Sequence, residues 1–426
     1  MQSIKIDTKT NGRESVATAL LLLTIFCAPL FTTLGTSRTV NNKIALFQIA
    51  FVLLLAPEVT HRARTIFRNS RTTKLIFFTS LTIIYSQFFF IEYSSPSRTL
   101  IYLTQPVFFL AATYWFSSNR LHKLTLLAAA QSLSTIVFGT TALTPHLLNP
   151  GDFHRLSSLD TDLLVYRHIR HLNYDIASTV VLSTAALFAL AKSKLLVASI
   201  LTSILIAGAL TVLSGGRGGL MAIIFFFAGL TLAPGERRLA FFALLGFLTG
   251  CVLAGLVFPS AVDWMWQRTA ASSLNSASSG RLSIWSDTIM TWLQCAPVNG
   301  WLLGCGPDSF RSLQIRPGFT HPHSSLVQAL LEFGLAGLAL LSALFSLAAR
   351  YTARTMYPRP DKPTQSLALG LCAMLVFSLV DGLLYHGAPL LICVMLAAYL
   401  FAKHLERPFP SACSRHLKQP PCRCSR

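Results

Sequence analysis

Apolar runs that match the thickness of a bilayer recur along the whole chain. Each run has roughly 17 to 25 residues, which is the length of helix that crosses a hydrocarbon core. Short polar segments rich in Lys and Arg separate many of them. The pattern predicts an all-α polytopic membrane protein with about twelve transmembrane helices, at residues 16–35, 43–60, 74–92, 99–117, 124–143, 174–191, 195–213, 219–233, 239–258, 324–349, 366–382 and 386–402.

Composition supports this fold class. Of the 426 residues, 53% are hydrophobic and 12% are charged, whereas a soluble domain carries about 25% charged residues. The first apolar run, 16–35, is longer than the apolar core of a signal peptide and lacks a small-residue cleavage site. We therefore expect it to be retained as the first helix.

The distribution of basic residues predicts the orientation. With the N-terminus in the cytoplasm, 24 of the 35 Lys and Arg residues fall on the cytoplasmic side, as the positive-inside rule requires. Twelve helices then place both termini in the cytoplasm. The net charge of +19 is explained by an anionic lipid surface, so the sequence implies membrane lipids and no nucleic acid as partners.

The predicted helices divide the chain into four parts. Helices one to nine occupy residues 1–258, a long outer loop occupies 259–323, helices ten to twelve occupy 324–402, and a basic cytoplasmic tail occupies 403–426. A second outer loop covers about 144–173.

The long loop contains a predicted helix and a pair of cysteines. Apolar side chains recur at helical spacing after Arg281, which predicts an interfacial amphipathic helix that begins there. Residues 304–307, Gly-Cys-Gly-Pro, should then interrupt the helical structure. Cys295 and Cys305 could form a disulfide if the loop lies in an oxidising compartment.

The segment HPHSS, residues 321–325, lies at the start of the tenth helix. Ser324 or Ser325 can cap that helix, and Glu332 would lie roughly 10 Å further along it. His323 is a candidate proton acceptor near neutral pH, although a structural histidine at the membrane surface is an alternative. His321 is the less suitable base because Pro322 separates it from the helix.

The turn SGGRGG, residues 214–219, joins the seventh and eighth helices on the outer side. Its glycines let a ligand approach the backbone closely, and Arg217 offers a planar cation suited to phosphate. The alternative is a tight turn whose arginine reaches the lipid headgroups. The turn lacks the spacing of a P-loop.

Other basic side chains lie in the two outer loops. The long loop carries Arg268, Arg281, Arg311 and Arg316, of which we expect the last two to be solvated. A basic cluster precedes the sixth helix and contains Arg167, His168, Arg170 and His171. This cluster could bind an anion or a metal, or it could lie at headgroup level.

Together these residues suit an anionic substrate. Arginines and an imidazole gather on the outer side with few carboxylates, so a divalent metal would lack its preferred oxygen ligands. Arginines could stabilise the charge of a departing phosphate while His323 deprotonates a hydroxyl. Since no nucleotide site is evident, the donor should be already activated, and we expect no cofactor and no metal.

Three ordered blocks resemble the O-antigen ligase and O-antigen polymerase superfamily of bacterial inner-membrane glycosyltransferases. They are SGGRGG, then GRLSIW followed by LLGCGPDSF, then HSSLVQALLEFGLAG, and together they cover about a fifth of the chain. Arg268 also matches a position where that superfamily often has arginine.

The resemblance implies a GT-C-like, metal-independent, inverting transferase. It would take a glycan from undecaprenyl pyrophosphate at the periplasmic face of a Gram-negative inner membrane. Arg217 and Arg281, with Arg268, would bind the pyrophosphate, and His323 would act on the acceptor hydroxyl. Arg167, Arg170, His171, His321 and Glu332 are further candidates for this site.

The acceptor is open among three classes. A ligase uses lipid A–core, a polymerase uses a second lipid-linked repeat unit, and a third type uses pilin or another protein. The outer loops lack the R-x10-G spacing of some polymerases, and no soluble C-terminal domain follows the last helix, so we expect a ligase. A twelve-helix transporter is the remote alternative, with Glu332 and Asp381 as its mid-membrane charges.

Overall fold

The structure is a computed structural model. It describes residues 12–33, 37–67, 70–90, 92–148, 166, 169–190, 193–233, 237–269, 275, 278–295, 299–355 and 361–405.

Helices account for nearly all of these residues. In chain order they are α1 Gly12–Thr33, α2 Ser37–Phe67, α3 Ser70–Phe89, α4 Pro96–Phe116, α5 Arg120–Ser134, α6 Thr140–Leu148, α7 Ile169–Leu190, α8 Lys194–Ser214, α9 Arg217–Leu232, α10 Arg237–Val257, α11 Pro259–Thr269, α12 Arg281–Gln294, α13 Asn299–Leu303, α14 Ser309–Ser312, α15 Ser325–Thr355, α16 Lys362–Val380 and α17 Gly387–Leu405. A π-helical turn, Thr135–Gly139, joins α5 to α6, and a 3₁₀ turn, Leu383–Tyr385, precedes α17.

Nine helical segments within the described ranges are long and apolar enough to cross a membrane. They confirm a polytopic membrane protein. A helix occurs at each of the twelve predicted positions, but α3, α4 and the shorter α9 are not among the nine. Twelve spans and a GT-C-like arrangement therefore stay predictions.

Helices α7 and α16 form the centre of the bundle. Their apolar stretches are 83% and 78% buried, which are the highest values among the candidate spans. Around them, α8 and α10 pack with their backbones in close approach. A Cβ atom at Gly208 would overlap the carbonyl of Phe247, and one at Gly250 would overlap the carbonyl of Leu205. These glycines thus allow α8 and α10 to pack closely. Such packing matters in lipid, because the hydrophobic effect does not drive helices together there.

Helix α15 is broken at Gly334, which corrects the expectation of one continuous helix over 324–349. Gly334 has φ +61° and ψ −155°, a conformation that favours glycine. The break frees carbonyl groups of the preceding turn. The backbone N–H groups of Cys305 and Gly306 donate to the carbonyls of Leu331 and Glu332, at 2.6 and 3.1 Å.

The part of α15 after the break, residues 335–355, contains most of the apolar run of this helix, which ends before Arg350. The turns before the break, 325–333, are held by the 304–306 segment of the long loop. They form a short helix that presents polar side chains beside His323.

Candidate functional site

Charged and imidazole side chains gather at helix ends on one side of the bundle, which we call the site end. Arg170 is the second residue of α7, Arg217 is the first of α9, and Arg281 is the first of α12. His323 lies two residues before α15, and Asp381 directly follows α16. Short polar turns between apolar helices therefore supply most of the chemistry.

Asp381 is the centre of this cluster. One carboxylate oxygen, Oδ1, accepts hydrogen bonds from the Tyr174 hydroxyl at 2.8 Å and from the Gly382 backbone N–H at 2.7 Å. The other, Oδ2, lies 3.2 Å from Nη2 of Arg281. Nδ1 of His323 is 4.0 Å from Oδ1. One buried carboxylate thus connects the predicted phosphate-binding arginine with the predicted base.

His323 lies against a second arginine. Nη1 of Arg170 is 3.0 Å from Nδ1 and 2.8 Å from Nε2 of the imidazole, so the guanidinium covers the ring. Phe319 packs edge-on against the same ring, with 5.4 Å between centroids. The Ser324 hydroxyl accepts a hydrogen bond from the Val327 backbone N–H and caps α15, as predicted.

The long loop folds onto the site through two connections. The Trp285 indole N–H donates to the carbonyl of Pro322 at 2.9 Å, which ties the predicted amphipathic helix α12 to the histidine segment. Cys295 and Cys305 form a disulfide with 5.9 Å between their Cα atoms, as the sequence allowed. The indole bond holds the first turns of α12 beside the histidine segment, and the disulfide joins the end of α12 to the turn before α14.

Three further histidine and tyrosine rings lie behind His323. The His321 ring is 4.2 Å from that of His323, 4.8 Å from Tyr385 and 5.1 Å from His386. Burial, followed by the positive charge of neighbouring groups, lowers the pKa of His321 and of His386 well below the usual value. His171 packs edge-on against His386 at 4.8 Å. Within the described ranges, no three His, Cys, Asp or Glu side chains are arranged as metal ligands.

A buried arginine supports this layer of rings. Nη2 of Arg98 donates to the carbonyl of Tyr385 at 2.6 Å, and its guanidinium lies 3.7 Å from the centre of the Tyr385 ring. The Tyr385 hydroxyl donates to Asp308 at 3.0 Å. Glu332 accepts hydrogen bonds from the Tyr102 hydroxyl at 2.9 Å and from the Asp308 backbone N–H at 3.1 Å. Glu332, a candidate from the sequence, therefore makes structural contacts beneath the site.

Arg217 lies beside the start of α12. Its Nη2 donates to Oγ of Ser279, two residues before Arg281, at 2.7 Å. The preceding turn is tight, because Gly215 caps α8 with φ +56°. A Cβ atom at Gly216 would overlap the side chain of Asn173. The glycines thus let the turn approach α7, the helix that carries Arg170.

The other predicted cations are placed as follows. Arg316 is exposed and pairs with Asp287 at 2.8 Å, and Arg311 is exposed, in line with the expectation of solvated loop charges. The backbone of Arg268 lies in α11, but its side chain is outside the described part of the structure. Arg167 also lies outside the described residues.

Comparison with protein families identifies the segment that carries much of this site. Residues 200–342 match the family model described as O-antigen ligase. This segment is therefore similar to the O-antigen ligase and polymerase superfamily. No curated protein matches the chain.

The matched segment contains six of the predicted site residues: Arg217, Arg268, Arg281, His321, His323 and Glu332. Arg170 precedes this segment and Asp381 follows it, yet both contact residues inside it. The site is thus assembled from the matched segment and from helices on either side.

Sequence reasoning missed Asp381, His386 and Arg98 as members of the site. Asp381 was considered as a mid-membrane charge, whereas the structure places it at the end of α16. Arg98 directly precedes the fourth predicted helix, and Asp381 and His386 lie at the facing ends of the last two predicted helices, 366–382 and 386–402. The same criterion that selected HPHSS would have found them.

An apolar groove lies beneath this site. Its volume is about 360 Å³, and it follows α15 from Ser325 to Ala348 and α17 from Leu390 to Phe401. Side chains of α3, α4 and α16 complete its walls. Gln328, Glu332 and Tyr385 also line the groove, and they belong to the layer beneath the site. The groove therefore reaches the layer of polar side chains beneath the site.

Proposed function

We propose that this protein transfers a glycan from undecaprenyl pyrophosphate to lipid A–core at the periplasmic face of the inner membrane. The observation that carries the proposal is the contact of Arg281, Asp381, His323 and Arg170 in one cluster. The O-antigen ligase match supports the general class, a transferase of the ligase and polymerase type.

The groove supports a lipid-linked donor. A polyprenyl chain is apolar and would lie along α15 and α17, with its diphosphate beyond the polar end of the groove, toward Arg281 and Arg170. Burial of such a chain is favourable by about 25 cal/mol per Å² relative to water. Relative to lipid the gain is smaller, so the groove would serve chiefly to align the donor.

The arginines would bind the diphosphate. Arg281 and Arg217 present guanidinium groups near the start of α12, and Arg170 lies over His323. Paired N–H donors match phosphate oxygens and stabilise the charge that develops on a leaving diphosphate. Asp381 pairs with Arg281, so a bound diphosphate would compete for that arginine.

The reaction is a single displacement at the anomeric carbon. The acceptor oxygen forms a bond to this carbon as the bond to the diphosphate oxygen breaks, with inversion of configuration. The electron pair leaves with undecaprenyl pyrophosphate, and the proton of the acceptor hydroxyl goes to His323. Asp381, 4.0 Å from Nδ1, would stabilise the resulting imidazolium.

A transporter remains the alternative of a different class. It would place its charged groups near the middle of the membrane. The charges of the described site instead lie at helix ends. The Glu332 carboxylate accepts hydrogen bonds from Tyr102, Gln328 and the Asp308 backbone, so its hydrogen-bonding groups are used within the protein. This placement favours a transferase.

The test is a transfer assay with purified protein and a lipid-linked glycan donor. Lipid A–core, pilin and a second donor molecule are offered in separate reactions, each with and without EDTA. We expect a product with lipid A–core, no loss with EDTA, and no product with His323→Ala. A product with pilin alone or with the second donor alone would assign the protein to another member class, and no product with any acceptor would contradict transfer.

A further inference from the structure

His323 has an unusual backbone conformation. Its φ angle is +57°, in the left-handed region that a residue with a side chain rarely adopts. Such a conformation persists only where neighbouring groups hold it. The imidazole direction, and with it the contacts to Asp381 and Arg170, depends on this backbone.

His321 holds that backbone from two residues away. The backbone N–H of His323 donates to Nδ1 of His321 at 3.2 Å. Because Nδ1 accepts this bond, it carries no proton, and a neutral His321 has its proton on Nε2. The hydrogen bond therefore defines the tautomer of His321.

The tautomer of His386 follows from that of His321. Nε2 of His321 lies 3.3 Å from Nε2 of His386. Because Nε2 of His321 carries a proton, Nε2 of His386 must be the acceptor. A neutral His386 therefore has its proton on Nδ1. Among the described residues, this Nδ1 atom is buried and has no hydrogen-bond partner.

The surroundings keep the His321 ring in place and neutral. The ring stacks on Tyr385 at 4.8 Å with 24° between the planes, and a Cβ atom at Gly382 would overlap it. Burial and the nearby Arg170 and Arg98 lower the pKa of His321, so the ring stays an acceptor at neutral pH.

We propose that His321 is a positioning residue, which accepts a hydrogen bond from the backbone N–H of His323 and so directs the catalytic imidazole, while Nε2 of His386 accepts the proton of its other ring nitrogen. The proposal rests on the proposed glycan transfer for its catalytic consequence. The hydrogen-bond chain itself can be tested without that reaction.

The kinetic test compares three replacements of His321 in purified protein. His321→Asn places an amide oxygen close to the position of Nδ1 and can still accept the bond. His321→Phe keeps the stacking and removes both nitrogens. We expect His321→Phe to lower kcat by ~100-fold, as a misplacement of about 1 Å does, with the KM for the donor unchanged, and we expect His321→Asn to restore most of kcat.

His321→Gln is the variant to use if His321→Phe unfolds, because its amide reaches the Nε2 position and leaves the Nδ1 position empty. It should lose kcat while keeping its Tm. If His321→Asn is as inactive as His323→Ala, His321 acts as a base and the positioning role is wrong. If His321→Phe has wild-type kcat, the role is also wrong, although wild-type transfer still supports the proposed function.

The second measurement is independent of activity. In protein labelled with ¹⁵N-histidine, the signals of His321 and His386 are assigned by their loss in His321→Asn and His386→Asn. We expect a neutral Nε2–H ring at His321 and a neutral Nδ1–H ring at His386 at pH 7. The opposite tautomers, or a charged ring at either position, would overturn the proposal even if the protein transfers no glycan.

Discussion

Arg281 and Asp381 form an ion pair, with 3.2 Å between Nη2 and Oδ2, where the long-loop helix α12 meets the end of the central helix α16. The same carboxylate faces His323. Removal of its charge should therefore disturb the diphosphate site and the base together. We expect Asp381→Asn to lower the transfer rate by roughly 10- to 100-fold, measured as initial rates with saturating donor and acceptor. Asp287→Asn is the control, because Asp287 pairs with Arg316 at the surface, and its rate should stay close to that of the wild type.

A lysine at position 281 should not bind the diphosphate as well as Arg281 does. A lysine is a point charge and lacks the planar pair of N–H donors that matches a diphosphate. We expect Arg281→Lys and Arg217→Lys to lower kcat/KM for the donor at least ~10-fold. Arg316→Lys, at an exposed ion pair, is the matched control. Equal activity of Arg281→Lys and Arg316→Lys would show that Arg281 does not bind the diphosphate as a fork.

Glu332 should matter for stability and not for chemistry. Its carboxylate is buried and accepts hydrogen bonds from Tyr102, Gln328 and the Asp308 backbone. Glu332→Ala would leave these donors without a partner, at a cost of about 1–3 kcal/mol for each buried group. We expect a lower Tm in detergent, with kcat of the folded protein retained. Glu332→Gln should lower the Tm less, and a loss of kcat at unchanged Tm would instead assign Glu332 to the reaction.

The disulfide should stabilise the long loop. Cys295 and Cys305 close a short segment that links α12 to the turns before α15. The loss of loop entropy in the unfolded chain corresponds to roughly 2–3 kcal/mol. The Cys295→Ser/Cys305→Ser variant should have a lower Tm and faster proteolysis within the loop. Dithiothreitol should reproduce this change in the wild type and have no further effect on the variant.

Stability should fall in mild acid because of His321 and His386. Their pKa values are lower in the folded protein than in the unfolded chain, so the unfolded chain binds more protons below about pH 6.5. Each histidine then lowers the free energy of unfolding by up to about 1.4 kcal/mol per pH unit as the pH falls toward the folded-state pKa. The Tm of the wild type should fall between pH 7.5 and pH 5.5, and the Tm of His386→Asn should fall less over the same range. An equal drop in the wild type and in His386→Asn would contradict this origin of the pH dependence.

Local features of the fold could be predicted from the sequence. The start of α12 at Arg281 follows from apolar spacing, and the cap at Ser324 follows from a hydroxyl before an apolar run. The pairing of Cys295 with Cys305 was one of the options that the loop allowed. In each case the residues that determine the feature lie within a few turns of one another.

The long-range features could not be predicted in the same way. Gly334 lies in an apolar run that resembles a continuous helix, and the break depends on packing against the backbone of Leu302. Asp381 contacts Tyr174 and Arg281, which are 207 and 100 positions away. A single sequence suggests which side of a membrane such residues face, but it does not pair them.

The central claim is that His323 removes the acceptor proton in a diphosphate site. Its most direct test measures the donor Kd and the single-turnover rate of glycan transfer in the wild type and in His323→Ala, with the Tm of both as the folding control. We predict an unchanged Kd and Tm and a transfer rate that is at least ~100-fold lower. A folded His323→Ala protein that transfers glycan at the wild-type rate would contradict the claim.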